Sequence, residues 1–303
     1  MSTATPVLPA LKPRLTRAQV PLTRKVTVRN EFGEIAEAAI PAERALTVYL
    51  DKRELVTLMT LGGEPELLVL GFLRNQRLIE SVEQIESITV DWSLGEGEVG
   101  EPGVAAVRTR EGAQVHIERS ADRVVTTGCG QGSVFGDLMA HIDEIELPDA
   151  QITQRQLYGI VNTIRLQETT YKSSGSVHGC ALFQDEDMLL FVEDVGRHNA
   201  VDTIAGWMWM NDIDGRDKVF YTTGRLTSEM VIKSAQMGVP VVVSRSGITQ
   251  MGLDVALRVG LCAIGRATNK RFLCFSAPER LLAQPELAQL AASPVASAAA
   301  QDA

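Results

Sequence analysis

Apolar and polar positions alternate over Leu46 to Leu50 and Leu55 to Thr60, on either side of a polar Asp51-Lys52-Arg53 step. That pattern predicts a β-hairpin. Gly62-Gly63-Glu64 then leads to Pro65, a favourable first residue for a helix. Leu67, Leu70, Phe72, Leu73 and Leu78 follow at helical spacing, which predicts a helix over Glu66 to Ile79. Ser87 to Trp92, Val104 to Thr109 and Ala113 to Glu118 read as further strands, and the acidic, glycine-rich Gly95 to Gly103 as a loop. Together these elements predict a small α+β unit over residues 27–125, followed by a linking segment over 126–150.

The pattern changes in the second half. Leu157, Ile160, Val161 and Ile164 give Thr153 to Leu166 a helical period. Strand-like runs then alternate with helical ones: Met188 to Val195 before a helix through Met210, Lys218 to Thr222 before a helix through Met237, Val239 to Val243 before a helix to Val259, and finally Leu261 to Ile264. Such alternation predicts an α/β domain built on a sheet, spanning residues 151–282. Each of these strands is followed by a turn carrying glycine and arginine, around Arg197, Arg225, Arg245 and Arg266. In open α/β sheets, ligands bind beyond the carboxyl ends of the strands. Helix N-termini there carry positive partial charge, and the guanidinium fork matches phosphate. Any one of these arginines alone reads as a solvated loop charge. Their repetition points to a bound polyanion.

Composition narrows the class. The chain of 303 residues is 45% hydrophobic and 22% charged, as in a globular protein. No apolar run reaches the ~18 residues of a transmembrane helix. The net charge of −9 argues against broad binding to nucleic acid or to an anionic membrane, leaving room for a local basic site. Residues 1–26 contain four prolines and several arginines and lysines ahead of any acid, which predicts a disordered basic arm. The tail over 283–303, rich in Ala, Gln and Ser, reads as frayed. The four cysteines are too sparse for a disulfide scaffold and fit a reducing compartment. No Cys-x-x-Cys pair or paired-histidine spacing suggests zinc.

Cys129 stands apart from the other cysteines. It lies in Thr127-Gly128-Cys129-Gly130-Gln131-Gly132, where the glycines disfavour helix and strand interiors. A loop thiol there fits a nucleophilic or sulfur-carrying role. The alternatives are a small turn residue and a phosphate-cradling glycine loop that happens to contain cysteine. Cys180 shares a strand face with His178, but a small core residue is the simpler reading.

Several strings together resemble one family, the formate dehydrogenase accessory sulfurtransferases (FdhD). They are Thr127-Gly128-Cys129-Gly130, Ser174-Gly175-Ser176-Val177-His178, the run from Glu193 through Asp194-Val195-Gly196-Arg197-His198-Asn199 to Asp202, Glu229-Met230-Val231-x-Lys233-Ser234-Ala235, and Gly265-Arg266 through Phe275. The likeness covers roughly residues 27–282. It implies a cytidine-deaminase-like three-layer α/β C-terminal domain, a cytoplasmic homodimer, and sulfurtransferase activity. In that activity a cysteine desulfurase delivers sulfur as a persulfide on Cys129. The sulfur passes to the molybdenum cofactor in its bis(molybdopterin guanine dinucleotide) form, which then enters the formate dehydrogenase catalytic subunit. By the same likeness, Arg266, Ala267, Thr268, Asn269, Lys270 and Arg271 form a cofactor-binding loop, with Arg197, His198 and Arg225 as further contacts. One position departs: many relatives carry a second loop cysteine where this chain has Gly132. The zinc signature of deaminases is absent. A cofactor chaperone without sulfur transfer is the alternative function.

Overall fold

The computed structural model describes residues 11–92, 102–111, 113, 123–125, 139, 141–167 and 169–292. Ala113 to Glu118, apart from Ala113, and the Cys129 loop lie outside the described residues.

The N-terminal unit is a six-stranded sheet in the order β1-β6-β7-β4-β5-β8. Its strands are β1 (Arg14–Leu15), β4 (Arg44–Leu50), β5 (Arg53–Thr60), β6 (Ile85–Asp91), β7 (Gly103–Thr109) and β8 (Arg123–Val125). The hairpin read from alternation is β4–β5, antiparallel, with Leu46, Val48, Leu50, Val56 and Leu58 all buried. Helix α1 (Pro65–Asn75) covers this core with Leu68, Val69, Phe72 and Leu73. It ends earlier than its spacing predicts, because Arg77 takes a left-handed φ of 53° and the Leu78 N–H turns back to the Leu73 carbonyl. Leu78 and Ile79 still enter the same core from that turn.

A separate hairpin, β2 (Thr23–Arg29) with β3 (Ile35–Pro41), stands off both main sheets. Residues 11–26 are ordered, against the expected free arm. Arg14–Leu15 pairs in parallel with β6, and the buried Glu66 accepts from the Thr16 hydroxyl and the Ala18 N–H. A buried carboxylate needs such donors, so the arm is drawn onto the sheet. The tail differs from expectation too. Pro285–Ala292 forms a helix, in keeping with the high helix propensity of alanine.

The C-terminal unit is a second six-stranded sheet, ordered β11-β10-β12-β13-β14-β15. Its strands are β10 (His178–Gln184), β11 (Asp187–Asp194), β12 (Lys218–Thr222), β13 (Val241–Ser244), β14 (Cys262–Thr268) and β15 (Arg271–Cys274). A short pair, β9 (Ile152–Thr153) with β16 (Leu281–Leu282), ties the two ends of the unit together. Helix α2 (Gln154–Leu166) packs Leu157, Ile160 and Val161 on one face, against Phe183, Val243 and Ile264. A short α3 (Thr170–Ser174) precedes β10. On the other face lie α4 (Arg197–Met210), α5 (Ser228–Gln236) and α6 (Gln250–Val259), around Leu182, Phe220 and Val242. The result is a three-layer α/β domain. The final helix, Pro285–Ala292, is α7.

The two units meet where α1 crosses α4. A Cβ at Gly71 would fall on the Asp202 carbonyl, and one at Gly206 on the Leu67 carbonyl. Gly71→Ala or Gly206→Ala is therefore expected to destabilise the protein by about 1–3 kcal/mol through overpacking. Urea denaturation of each variant checks this.

Candidate functional site

Strand β10 pairs antiparallel with both β11 and β12, while β12–β13 and β13–β14 are parallel. Strands β11, β12, β13 and β14 therefore run the same way. Their carboxyl ends share one edge with His178, at the start of β10. Hydrogen bonds between loops build that edge. Thr223 N–H donates to the Gly179 carbonyl (2.9 Å), and Gly179 N–H to Thr223 Oγ1 (3.0 Å). Ser244 Oγ donates to the Gly224 carbonyl (2.7 Å), and Ser246 Oγ to the Thr223 carbonyl (2.9 Å).

Three basic side chains gather on the α4–α5 side of this edge. Arg197 opens α4, and its Cβ and Cδ lie against Gly224, where any side chain would collide with them. Its Nε is buried with no hydrogen-bond partner. Burial lowers the Arg197 pKa, and the exposed Arg225 lowers it further by like-charge repulsion. His178 is held below its usual pKa by burial and then by both arginines, which keeps it neutral near pH 7. Two guanidinium groups that repel one another beside an orphaned N–H form a site that an anion would satisfy.

Behind them runs a buried polar chain. Asn75 Nδ2 donates to Asp202 Oδ1 (2.7 Å), and Lys233 Nζ to Asp202 Oδ2 (2.9 Å). Lys233 Nζ also lies 3.5 Å from Glu229 Oε1, and the same oxygen is 3.5 Å from His198 Nδ1. Lys233 is wholly buried, and burial alone would lower its pKa, but Asp202 and Glu229 together hold it raised. His198 is pushed down to about 2 by burial, then by Lys233, Arg197 and His178. A second buried carboxylate, Asp194, accepts from Gly196 N–H, Asn199 Nδ2, Thr60 Oγ1 and Leu61 N–H. It fixes the turn before Arg197 to the end of β5.

The depressed His198 has a consequence for stability. Its folded pKa lies below the unfolded value of 6.5, so the unfolded chain takes up a proton that the folded chain refuses. The stabilisation is complete above that value and is lost progressively as pH falls below it. Stability is thus expected to decline from about pH 6.5 downward, and His198→Asn should flatten the decline. Denaturation midpoints across pH 4 to 8 check this.

The edge does not hold all the predicted residues alike. Arg245 follows β13 with its N–H donated to the Thr222 carbonyl (3.0 Å) and its side chain exposed. Arg266 is not in a turn after β14 but at a bulge within it; its φ is 53°, its N–H donates to the Ser246 carbonyl (2.6 Å), and its side chain is exposed. Ala267 is buried against the α2 core, backbone included. Thr268, Asn269, Lys270 and Arg271 form the exposed tip of the β14–β15 hairpin, where Tyr158 donates to the Lys270 carbonyl (3.0 Å). Cys180 is fully buried, its thiol pushed up to about 12, as a core residue would be. No cluster of metal-ligating side chains occurs among the described residues, and no helix among them is long and apolar enough to cross a membrane.

Comparison with known proteins decides the family. The FdhD/NarQ family profile matches residues 41–282. The chain belongs to that family. A sulfur carrier protein FdhD from Bacillus subtilis is 30% identical over 256 residues, covering 84% of this chain and 95% of that protein. Another from Halalkalibacterium halodurans is 28% identical over 264 residues, covering 86% of this chain and 95% of that protein. A candidate formate dehydrogenase accessory protein from Desulfotalea psychrophila superposes with a TM-score of 0.68 at 26% identity, over 86% of this chain and 100% of that one.

The family's long string from Glu193 to Asp202 thus has physical content. It holds Asp194, which braces the turn, Arg197, which faces the edge, and Asp202, which anchors the buried chain. Reading the sequence for chemistry overlooked Asp194, Asp202, Glu229 and Lys233. Their signal was ionisable residues inside otherwise apolar runs, as with Lys233 after Met230-Val231-Ile232.

Proposed function

We propose that this protein is a sulfurtransferase that loads sulfur onto a molybdenum cofactor for formate dehydrogenase. A cysteine desulfurase presents a persulfide. The Cys129 thiolate attacks its outer sulfur, forming a new S–S bond and releasing the desulfurase thiolate. The cofactor, as its bis(molybdopterin guanine dinucleotide) form, is the cargo that receives this sulfur. Its phosphates are held by Arg197 and Arg225, beside His198, and by the segment from Arg266 to Arg271. A homodimer in the cytoplasm is part of this reading. The observation that carries it is the Arg197–Arg225 pair at the strand carboxyl ends, with the Arg197 Nε buried and unpartnered, in a member of a family whose relatives are named sulfur carriers.

The test is intact-protein mass spectrometry after incubation with an active cysteine desulfurase and cysteine. Wild type is expected to gain one sulfur atom, removable by reductant, and Cys129→Ala to gain none at that position. Gly132, in place of a second loop cysteine, favours a second reading: a chaperone that carries the cofactor without sulfurating it. Wild type that stays unloaded yet binds guanine nucleotide would establish the chaperone instead.

A further inference from the structure

Two thiols outside the site already described lie side by side at the base of the β14–β15 hairpin. Cys262 Sγ and Cys274 Sγ are 3.9 Å apart. Cys262 is fully buried, while Cys274 is only partly so. The two are unlike in chemistry. Hydrogen bonding from Cys262 lowers the Cys274 pKa, favouring its thiolate, and the Cys262 pKa is raised in turn. Ser276 closes the strand end beside them, donating to the Leu261 carbonyl (2.7 Å) and accepting from Ala263 N–H (3.1 Å). A partly exposed thiol, donating to the Ser276 carbonyl (3.4 Å), with a shielded partner thiol in van der Waals contact has the arrangement of an attacking and a resolving cysteine. A thiol kept only for packing looks different, as Cys180 shows: fully buried and hydrogen-bonded to Thr222 rather than to a second thiol.

We propose that Cys262 and Cys274 form a second sulfur-reactive centre, a dithiol that reduces sulfane sulfur to sulfide and closes to a disulfide. The Cys274 thiolate attacks the outer sulfur of a persulfide, R–S–SH. The S–S bond breaks, RS⁻ leaves, and Cys274 becomes Cys274–S–SH. Cys262 then attacks the inner sulfur of that group. The second S–S bond breaks and hydrosulfide departs, taking the Cys262 proton. In sum, two thiols and one persulfide give one disulfide, one RSH and one H₂S. The thiols lose two electrons and the sulfane atom gains them. Closure brings the sulfurs from 3.9 Å to bonding distance, about 2.05 Å. The centre supplies the two-electron reduction that a loop with Gly132 in place of a second cysteine lacks.

The sulfane donor in the cell rests on the sulfur-carrier reading, so the test removes that dependence. It uses the full chain carrying Cys129→Ala, with glutathione persulfide as the probe. The expected result is loss of two hydrogens from the protein mass, release of about one equivalent of sulfide, and a Cys262–Cys274 linkage in the peptide map. Adding Cys262→Ala should instead trap one extra sulfur on Cys274, and adding Cys274→Ala should abolish both products, each variant still unfolding cooperatively. A persulfide on Cys274 that persists beside a free Cys262, or sulfide release with both thiols still free, would overturn the proposal. So would unreacted thiols in a folded protein. Failure of Cys129 to load from a desulfurase would sink the carrier reading alone.

Discussion

An Arg197→Ala, Arg225→Ala double variant is expected to bind guanosine diphosphate at least ~100-fold more weakly than the parent protein. Each lost charge-assisted hydrogen bond to phosphate costs about 1.5–3 kcal/mol, and tenfold in affinity corresponds to about 1.4 kcal/mol. Two such losses give about 3–6 kcal/mol, if the groups act independently. The fold should survive, because neither guanidinium closes an ion pair among the described residues, and removing one relieves repulsion on the other. Arg197→Lys is the informative single change. It keeps the charge but loses the planar fork, so binding should fall to an intermediate level. Isothermal titration calorimetry at two salt concentrations measures both effects. Equal affinity for the double variant and the parent would place the anion elsewhere.

Lys233→Ala should destabilise the C-terminal domain by about 3–5 kcal/mol. The ammonium is wholly buried between Asp202 and Glu229. Its removal leaves two carboxylates facing a low-dielectric interior with Asn75 as the one remaining side-chain donor to Asp202 among the described residues. Asp202 would then take up a proton to survive burial, so the loss should shrink as pH falls. Breaking the exposed Arg216–Asp214 pair instead should change little, because water screens it. Urea denaturation at pH 7 and pH 5 compares the two. Because Asp202 also meets α1 through Asn75, the Lys233 variant should loosen the contact between the two units, which hydrogen exchange in α1 would report.

Most of the element order was legible from local pattern. The strand Lys218–Thr222 and the helices after it are set by short-range alternation and helical period, which neighbouring residues establish among themselves. Two of the glycine–arginine turns lie at strand ends along the edge that carries Arg197 and Arg225. The fourth such turn misled, because Gly265-Arg266 continues β14 as a bulge; the chain pairs onward with β15 through Thr268 and Arg271. Composition misled at both ends. Basic, proline-rich residues 11–26 are held by Glu66 and β6, and part of the alanine-rich tail is helical.

The α/β class and the family were legible in the sequence, because they follow from periodicity and from motifs that are contiguous in the chain. The tertiary structure sets Arg197 against Gly224, next to Arg225. The same structure leaves Arg245 exposed at the end of β13, although it sits in a similar turn. It alone joined Asn75, Asp202, Lys233, Glu229 and His198 into one buried line, and it alone brought Cys262 beside Cys274. Electrostatic and sulfur chemistry act over a few ångströms of space, and a linear pattern does not encode the packing of α1 on α4 or the return of β15 on β14 that creates those distances.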